Sequence, residues 1–222
     1  IGKFVLIGDH KQLPAVVLQS TVQTEVYDES LRLLGITNLK DSLFERLYRT
    51  YRCSNDSSFS NRVMDMLCKQ GRMHPEVAYF SNINFYGRKL ESLGLAHQIE
   101  EWPKLASKWL DDWPGVNRRM AFIPSEVETL ASSAKVNHSE AYIAAKIAAQ
   151  IYAQYSGTFD PLRTLGVITP YRSQIALIKK EIAKLGIDML DNILIDTVER
   201  FQGSERDVII YSLCINRNYQ LK

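Results

Sequence analysis

A chain of 222 residues with 45% hydrophobic and 23% charged side chains has the balance of a soluble globular protein, which sets aside disorder and fibrous repeats. Its net charge of +2 is too small to argue for a polyanionic partner, although it leaves room for a local basic stripe. Cys53, Cys68 and Cys214 form no CxxC pair and no apolar run approaches the roughly 20 residues that span a bilayer, so the expectation is an intracellular protein (cytoplasm or nucleus) with no disulfide framework, zinc site or membrane contact.

Residues 3–7, KFVLI, predict a buried strand that runs into the polar turn GDHKQLP. From Val16 to about Arg52 the pattern is mostly helical; DSLFERLYRTYR carries apolar residues at helical spacing, with Asp41 as the expected cap. CSNDSSFSN (53–61) is rich in Ser and Asn and reads as a loop or the end of a linker. The short apolar run VMDMLC then ends in a second polar turn, KQGRMHP. Residues 97–119 hold all three tryptophans among acids and two prolines, which predicts an irregular excursion before a strand at MAFIP. Asn137 and Glu140 have capping-box spacing ahead of an Ala-rich helix. TLGVITP predicts a strand, YRSQIALIKKEIAKLG an amphipathic helix ended by Gly186, and NILIDT and DVIIYSLCI two further strands. Strands alternating with helices predict an α/β fold whose mainly parallel sheet is covered on both faces.

Ligands of open parallel sheets bind beyond the carboxyl ends of the strands. Four polar turns follow apolar runs here, and they offer Gln12, Arg72, Thr169, Arg172, Thr197, Gln202, Gly203 and Glu205 to a shared edge. Gln12 can present an amide to a phosphate oxygen or an attacking water. Arg72 can grip a phosphate at two points without losing its charge; it also reads as a surface residue ahead of a helix that opens at Pro75. Tyr171 and Arg172 open a helix whose free N–H groups favour a phosphate, or they simply end that helix in solvent. Thr197 and Arg200 carry the same two readings. Gly203 permits close backbone approach, and Glu205 could accept from a ribose hydroxyl or a metal-bound water. His10, His74, His97 and His138 share no metal spacing, so no metal site is expected. VYDES (26–30) lacks a preceding apolar strand and is set aside as a metal-binding acidic pair.

In this order GDHKQLP, KQGRMHP, VITPYRSQ and DTVERFQGSERDVIIYS resemble the superfamily 1 DNA/RNA helicases of the branch that includes senataxin and the nonsense-mediated-decay helicase. The first is similar to that family's third motif, the second to its fourth, where Gly71 stands in place of a usual Tyr, and the last to its fifth. SLFERL and FYGRKL also look like family segments. The resemblance implies a RecA-like fold of the P-loop NTPase type. Residues 1–14 would close a first RecA-like domain, 15–61 would be a helical connection, and 62–222 a second RecA-like domain that stops before the sixth motif. It implies catalytic roles for Gln12 and Arg72, the latter acting in trans as an arginine finger. It places Gln70, Arg72, Gly203 and Glu205 at ATP, and Pro14, Thr169, Tyr171, Arg172, Thr197, Arg200 and Gln202 at nucleic acid.

No GxxxxGK(S/T) occurs, and no strand ending in Asp-Glu precedes GDHKQLP. The expectation is therefore a fragment: the C-terminal lobe of an ATP-dependent helicase that uses ATP and Mg2+ in its parent and binds neither tightly alone. Its expected partners are single-stranded DNA or RNA and the missing first RecA-like domain. Two other readings are a non-catalytic helicase-like scaffold and the helicase lobe of a helicase-nuclease.

Overall fold

The computed structural model describes residues 2–14, 16–52, 63–101, 119–128 and 133–221. The predicted linker at 53–61, with Cys53, and the three tryptophans lie outside the described residues. The chain divides into two units, Ile1–Ile99 and Glu100–Lys222.

In the first unit, Ser20 caps α1 (Thr21–Thr24) in a complete capping box with Gln23. Asp28 caps α2 (Glu29–Leu33), which accounts for the acids of VYDES. The helix α3 (Leu43–Arg52) follows. The expected cap Asp41 is corrected to Ser42, whose Oγ accepts the Glu45 N–H at 3.1 Å. Ser42 stands next to the first turn, which leaves the Asp41 carboxylate to pair with Arg49. Strand β1 (Lys69–Gln70), helix α4 (Pro75–Phe85) and strand β2 (Glu91–Ser92) form a parallel strand pair joined by a helical crossover, followed by α5 (Ala96–Ile99).

The strand expected at 3–7 is not formed, and Phe4 and Ile7 are 68% and 91% exposed. A strand exists only against a neighbour, and no described strand of this unit runs beside these residues.

The second unit runs α6 (His138–Gln154), β3 (Leu165–Ile168), α7 (Arg172–Ala183), α8 (Asp188–Asp191), β4 (Leu194–Asp196), α9 (Val198–Phe201), β5 (Val208–Tyr211) and a closing 3-10 turn, Asn218–Leu221. Asn137 caps α6 through Oδ1, which accepts the Glu140 N–H at 2.8 Å. The strands are parallel in the order β4-β3-β5. MAFIP forms no strand.

Side chains alternate along each strand, so Leu165 and Val167 share one face with Ile195, Val208 and Ile210. That face packs against Ala141, Ala144, Ala145, Ala148 and Ile151 of α6, Ile178 and Ile182 of α7, and Leu190 of α8. Fully burying each Leu or Ile there contributes about 1.5–3 kcal/mol, and the alanines let α6 approach closely.

The other face holds Gly166, Ile168, Ile209 and Tyr211. Helix coverage of the two faces is uneven, with α6, α7 and α8 on the first and the short α9 on the second. Among the described residues this second face carries Phe201 of α9 against Gly166, while Ile209 and Tyr211 stay 43% and 53% exposed. Alternation along β5 turns Val208 and Ile210 inward and leaves those two outward. Parallel strands flanked by helices nevertheless fit a RecA-like fold.

Candidate functional site

In the first unit, the turn after β1 is braced by amides. Gln70 Oε1 accepts the N–H groups of Arg72 at 3.1 Å and Met73 at 2.8 Å, and its Nε2 donates to the Met73 carbonyl at 2.8 Å. Gln98, fully buried, donates from Nε2 to the carbonyls of Gln70 and Met73, both at 3.0 Å. His97 Nε2 lies 2.8 Å from the Gly71 carbonyl. Arg72 is thus an exposed side chain on a fixed backbone. It precedes a helix that opens on Pro75, with His74 Nδ1 accepting the Glu76 N–H at 3.2 Å. Gly71 matches its surroundings: a Cβ there would sit 3.2 Å from Cδ1 of both Leu93 and Leu95.

The turn at 8–14 is organised by Asp9. Its carboxylate accepts the Lys11 N–H at 2.9 Å, Gln12 Nε2 at 3.0 Å and the Tyr86 hydroxyl at 2.5 Å. Burial pushes the Asp9 carboxyl up, but these hydrogen bonds outweigh it and hold the acid below its ordinary range. Burial and the bond to Asp9 push Tyr86 up to about 12. His10 lies on the Tyr48 ring, with centroids 4.2 Å apart. Gln12 and Pro14 are exposed, and the Gln12 amide is turned onto Asp9.

In the second unit, Ile168 and Asp196 are register partners, so the turns that begin at Thr169 and Thr197 leave the carboxyl edge side by side. The Thr169 N–H donates to the Asp196 carbonyl at 3.2 Å. Thr169 is fully buried, and among the described residues its Oγ1 has no hydrogen-bond partner. Tyr171 precedes α7 without a side-chain cap bond, and Arg172 beside it is exposed. Arg200 is also exposed, its Nε 3.8 Å from Asp196 Oδ2. Thr169, Tyr171, Arg172, Thr197 and Arg200 therefore belong to one edge of the sheet.

Gln202, Gly203 and Glu205 instead lie in the link from α9 to β5, whose Phe201 and Arg206 sit against Gly166 on the second face. Gly203 has φ 83°, a conformation that strains any residue with a Cβ, and among the described residues nothing lies within 4 Å of where a Cβ would be. Backbone there is open to close approach.

Sequence reasoning missed a buried polar network at the start of α6 and α7. Gln174 Oε1 accepts the Asn137 N–H at 2.8 Å, and its Nε2 donates to the Asn137 carbonyl at 3.0 Å and Ser212 Oγ at 3.2 Å. Asn137 Nδ2 donates to Asn216 Oδ1 at 2.8 Å. The second half of the expected capping box is not made: the Glu140 carboxylate accepts from Ser212 Oγ at 2.7 Å and from the Cys214 N–H at 2.8 Å. Cys214 occupies the left-handed region, at φ 53°, and burial followed by the charges of Glu140 and Glu128 pushes its thiol up to about 12. One signal was present in the sequence. Gln174 sits in line with Ile178 and Ile182, an amide within the apolar stripe of α7.

A polar hollow of about 340 Å3, lined by Tyr155, Thr158, Asp160, Arg163, Thr164 and Asp207, lies at the amino ends of β3 and β5, opposite the edge that carries the turns. Among the described residues no group of three or more His, Cys, Asp or Glu could hold a metal, and no helix is long and apolar enough to cross a membrane.

Residues 39–220 match the family described as the AAA domain, AAA_12. The chain is 29% identical over 216 residues to helicase sen1 of Schizosaccharomyces pombe, covering 95% of this chain and 11% of that protein. It is 26% identical over 217 residues to probable helicase senataxin of Homo sapiens, covering 98% and 7%. It is 29% identical over 223 residues to regulator of nonsense transcripts 1 of Dictyostelium discoideum, covering 97% and 14%. The chain thus spans between 7% and 14% of the length of these relatives. On the family match, which takes in every polar turn from KQGRMHP onward, the chain belongs to the AAA domain family, within the senataxin and nonsense-mediated-decay branch of the superfamily 1 helicases.

Proposed function

We propose that the chain is the C-terminal lobe of an ATP-dependent helicase or translocase acting on single-stranded nucleic acid. In this reading residues 1–14 close the first RecA-like domain, which is the lobe's partner, 15–61 connect, and 62–222 form the second RecA-like domain. The observation that carries it is the pairing of Ile168 with Asp196, which starts two arginine-bearing turns at neighbouring points of one carboxyl edge. Parallel sheets bind their ligands at such an edge. Arg172 and Arg200 there suit successive phosphates of a strand, with Thr169, Tyr171 and Thr197 of the same edge beside them; Gln202 and, in the first unit, Pro14 are further nucleic-acid contacts in this reading.

Toward the nucleotide, Arg72 supplies a planar, permanently charged grip on the terminal phosphate. Gln70 holds the Arg72 N–H and so aims it, Gln12 orients the attacking water, and Gly203 and Glu205 approach the nucleotide by backbone and carboxylate. ATP with Mg2+ supplies the phosphoryl group whose hydrolysis drives opening and closing. The free thiols of Cys68 and Cys214 suit a reducing, intracellular setting.

The test is Arg72→Ala in the full-length protein that carries this chain, with nucleic-acid-stimulated ATP turnover and strand binding measured together. Arginine fingers contribute about 10³–10⁵ in rate, so turnover should fall by at least two orders of magnitude while binding persists. Arg72→Lys should recover little, since it keeps charge but loses the two-point geometry. Near-normal turnover in Arg72→Ala would return Arg72 to a surface residue ahead of α4.

A further inference from the structure

The contact between β3 and α9 is closer than any side chain on β3 would allow. A Cβ placed on Gly166 would lie 2.7 Å from Cε1 and 2.9 Å from Cζ of Phe201, and 3.1 Å from Cγ of Arg206. Carbon atoms rest at about 3.5–4.0 Å, so one methyl group at 166 would drive the ring outward by about 1 Å. The ring has little room to turn aside, since Phe201 is buried. The Arg206 guanidinium lies 6.0 Å from its centroid.

Both neighbours grip the turn between them. The Phe201 carbonyl accepts the Ser204 N–H at 2.9 Å and Ser204 Oγ at 2.8 Å. Arg206 Nη1 donates to the Glu205 carbonyl at 2.7 Å. The Asp207 N–H donates to the Arg163 carbonyl at 3.0 Å, which fixes the start of β5. The Gln202–Glu205 turn, with Gly203 in its left-handed conformation, is thereby referenced at both ends to one point of the sheet.

We propose that Gly166 and Phe201 are positioning residues for the Gln202–Glu205 turn: the missing Cβ of Gly166 sets the depth at which Phe201 seats, and that depth sets where the turn meets nucleotide and strand. This rests on the reading given under Proposed function. Neither residue touches a ligand in this proposal; both act through Gln202, Gly203 and Glu205.

The test uses Gly166→Ala, Phe201→Leu and the double variant in the full-length protein, with two readouts. Hydrogen exchange of the amides at 202–205 reports turn placement with no activity involved. It should quicken by about ten-fold or more in each single variant, with β3 and β5 unchanged, because local openings are separable from global ones. Nucleic-acid-stimulated turnover should fall by about ten- to a hundred-fold, the scale of a 1 Å misplacement at an active site. In the double variant the smaller side chain accommodates the added methyl, and both readouts should return to within about three-fold of the original, as coupled neighbours do.

Unchanged exchange at 202–205 in the single variants overturns the proposal. So does equal quickening across β3 and β5, the mark of a merely structural role, and so does a double variant no better than the singles. If Gly166→Ala fails to fold, Phe201→Leu and Arg206→Ala carry the same exchange test. An original protein without nucleic-acid-dependent turnover overturns the proposed function instead, and the exchange readout still decides this inference.

Discussion

Replacing Gln174 with Met would test the buried network most directly. The two side chains are similar in volume and unbranched, so little cavity energy is added. Three hydrogen bonds are lost, at 2.8, 3.0 and 3.2 Å, but their partners fare differently. The Asn137 carbonyl still accepts the Ala141 N–H at 3.1 Å, and Ser212 Oγ still donates to Glu140 at 2.7 Å. Only the Asn137 N–H is orphaned, in a fully buried residue. An orphaned buried donor costs about 1–3 kcal/mol, and each satisfied bond lost a net 0.5–1.5, offset by burying a more apolar side chain; the sum is about 2–4 kcal/mol. Urea unfolding followed by circular dichroism measures it. Gln174→Glu gives a second signature. Burial raises the folded pKa of that carboxyl, so its stability is full below the ordinary Glu value and is lost as pH rises through the folded one. A Met variant within about 0.5 kcal/mol of the original, the range of ordinary surface changes, would refute the network's role.

Three further outcomes are expected. The Asp9–Tyr86 bond should matter between two pH limits: Asp9 is depressed, so its contribution is lost as pH falls through the folded value, and Tyr86 is raised, so its contribution is lost as pH rises toward about 12. Tyr27, through its bond to Glu25, and Tyr155, through burial, are raised as well, so tyrosinate absorbance should show a late-titrating component that is diminished by one group in Tyr86→Phe and titrates earlier in Asp9→Asn. Gly203→Ala should cost about 1–2 kcal/mol in urea unfolding, the penalty of a Cβ in the left-handed region, although space is open around it; no loss would mean that the turn is not held at φ 83°. Arg172→Ala should weaken single-strand binding and flatten its salt dependence by about one phosphate contact in titrations at two salt concentrations; an unchanged slope would remove Arg172 from the proposed groove.

The fold was legible where one strand and its covering helix lie close together in sequence. TLGVITP and YRSQIALIKKEIAKLG carry both periods, strand then helix, and β3 and α7 form there. KFVLI and MAFIP are richer in apolar residues than TLGVITP and form no strand, since strand identity also requires a neighbour to complete the ladder. Composition cannot state which neighbour is present. The helix cap at Asn137 was readable because capping is local, whereas Asp41 lost that place to Ser42 over a shift of one residue.

The site divides along the same line. Which residue types stand in the polar turns was visible, because a motif is a local string. What aims those residues was not. Arg72 is fixed through Gln98, twenty-six residues away, and the Asn137 cap through Gln174 and Asn216. Gln98 is an ordinary surface residue type that only its burial marks as structural, and Gln174 offered no more than its place in the apolar stripe of α7. Gly166 shows the limit most sharply. In the string TLGVITP it reads as a weak point within a strand, yet its lack of a Cβ is what lets Phe201 seat and the Gln202–Glu205 turn lie where it does. A residue can thus organise a site by what it omits, and an omission becomes readable only once the group that fills the space has a position.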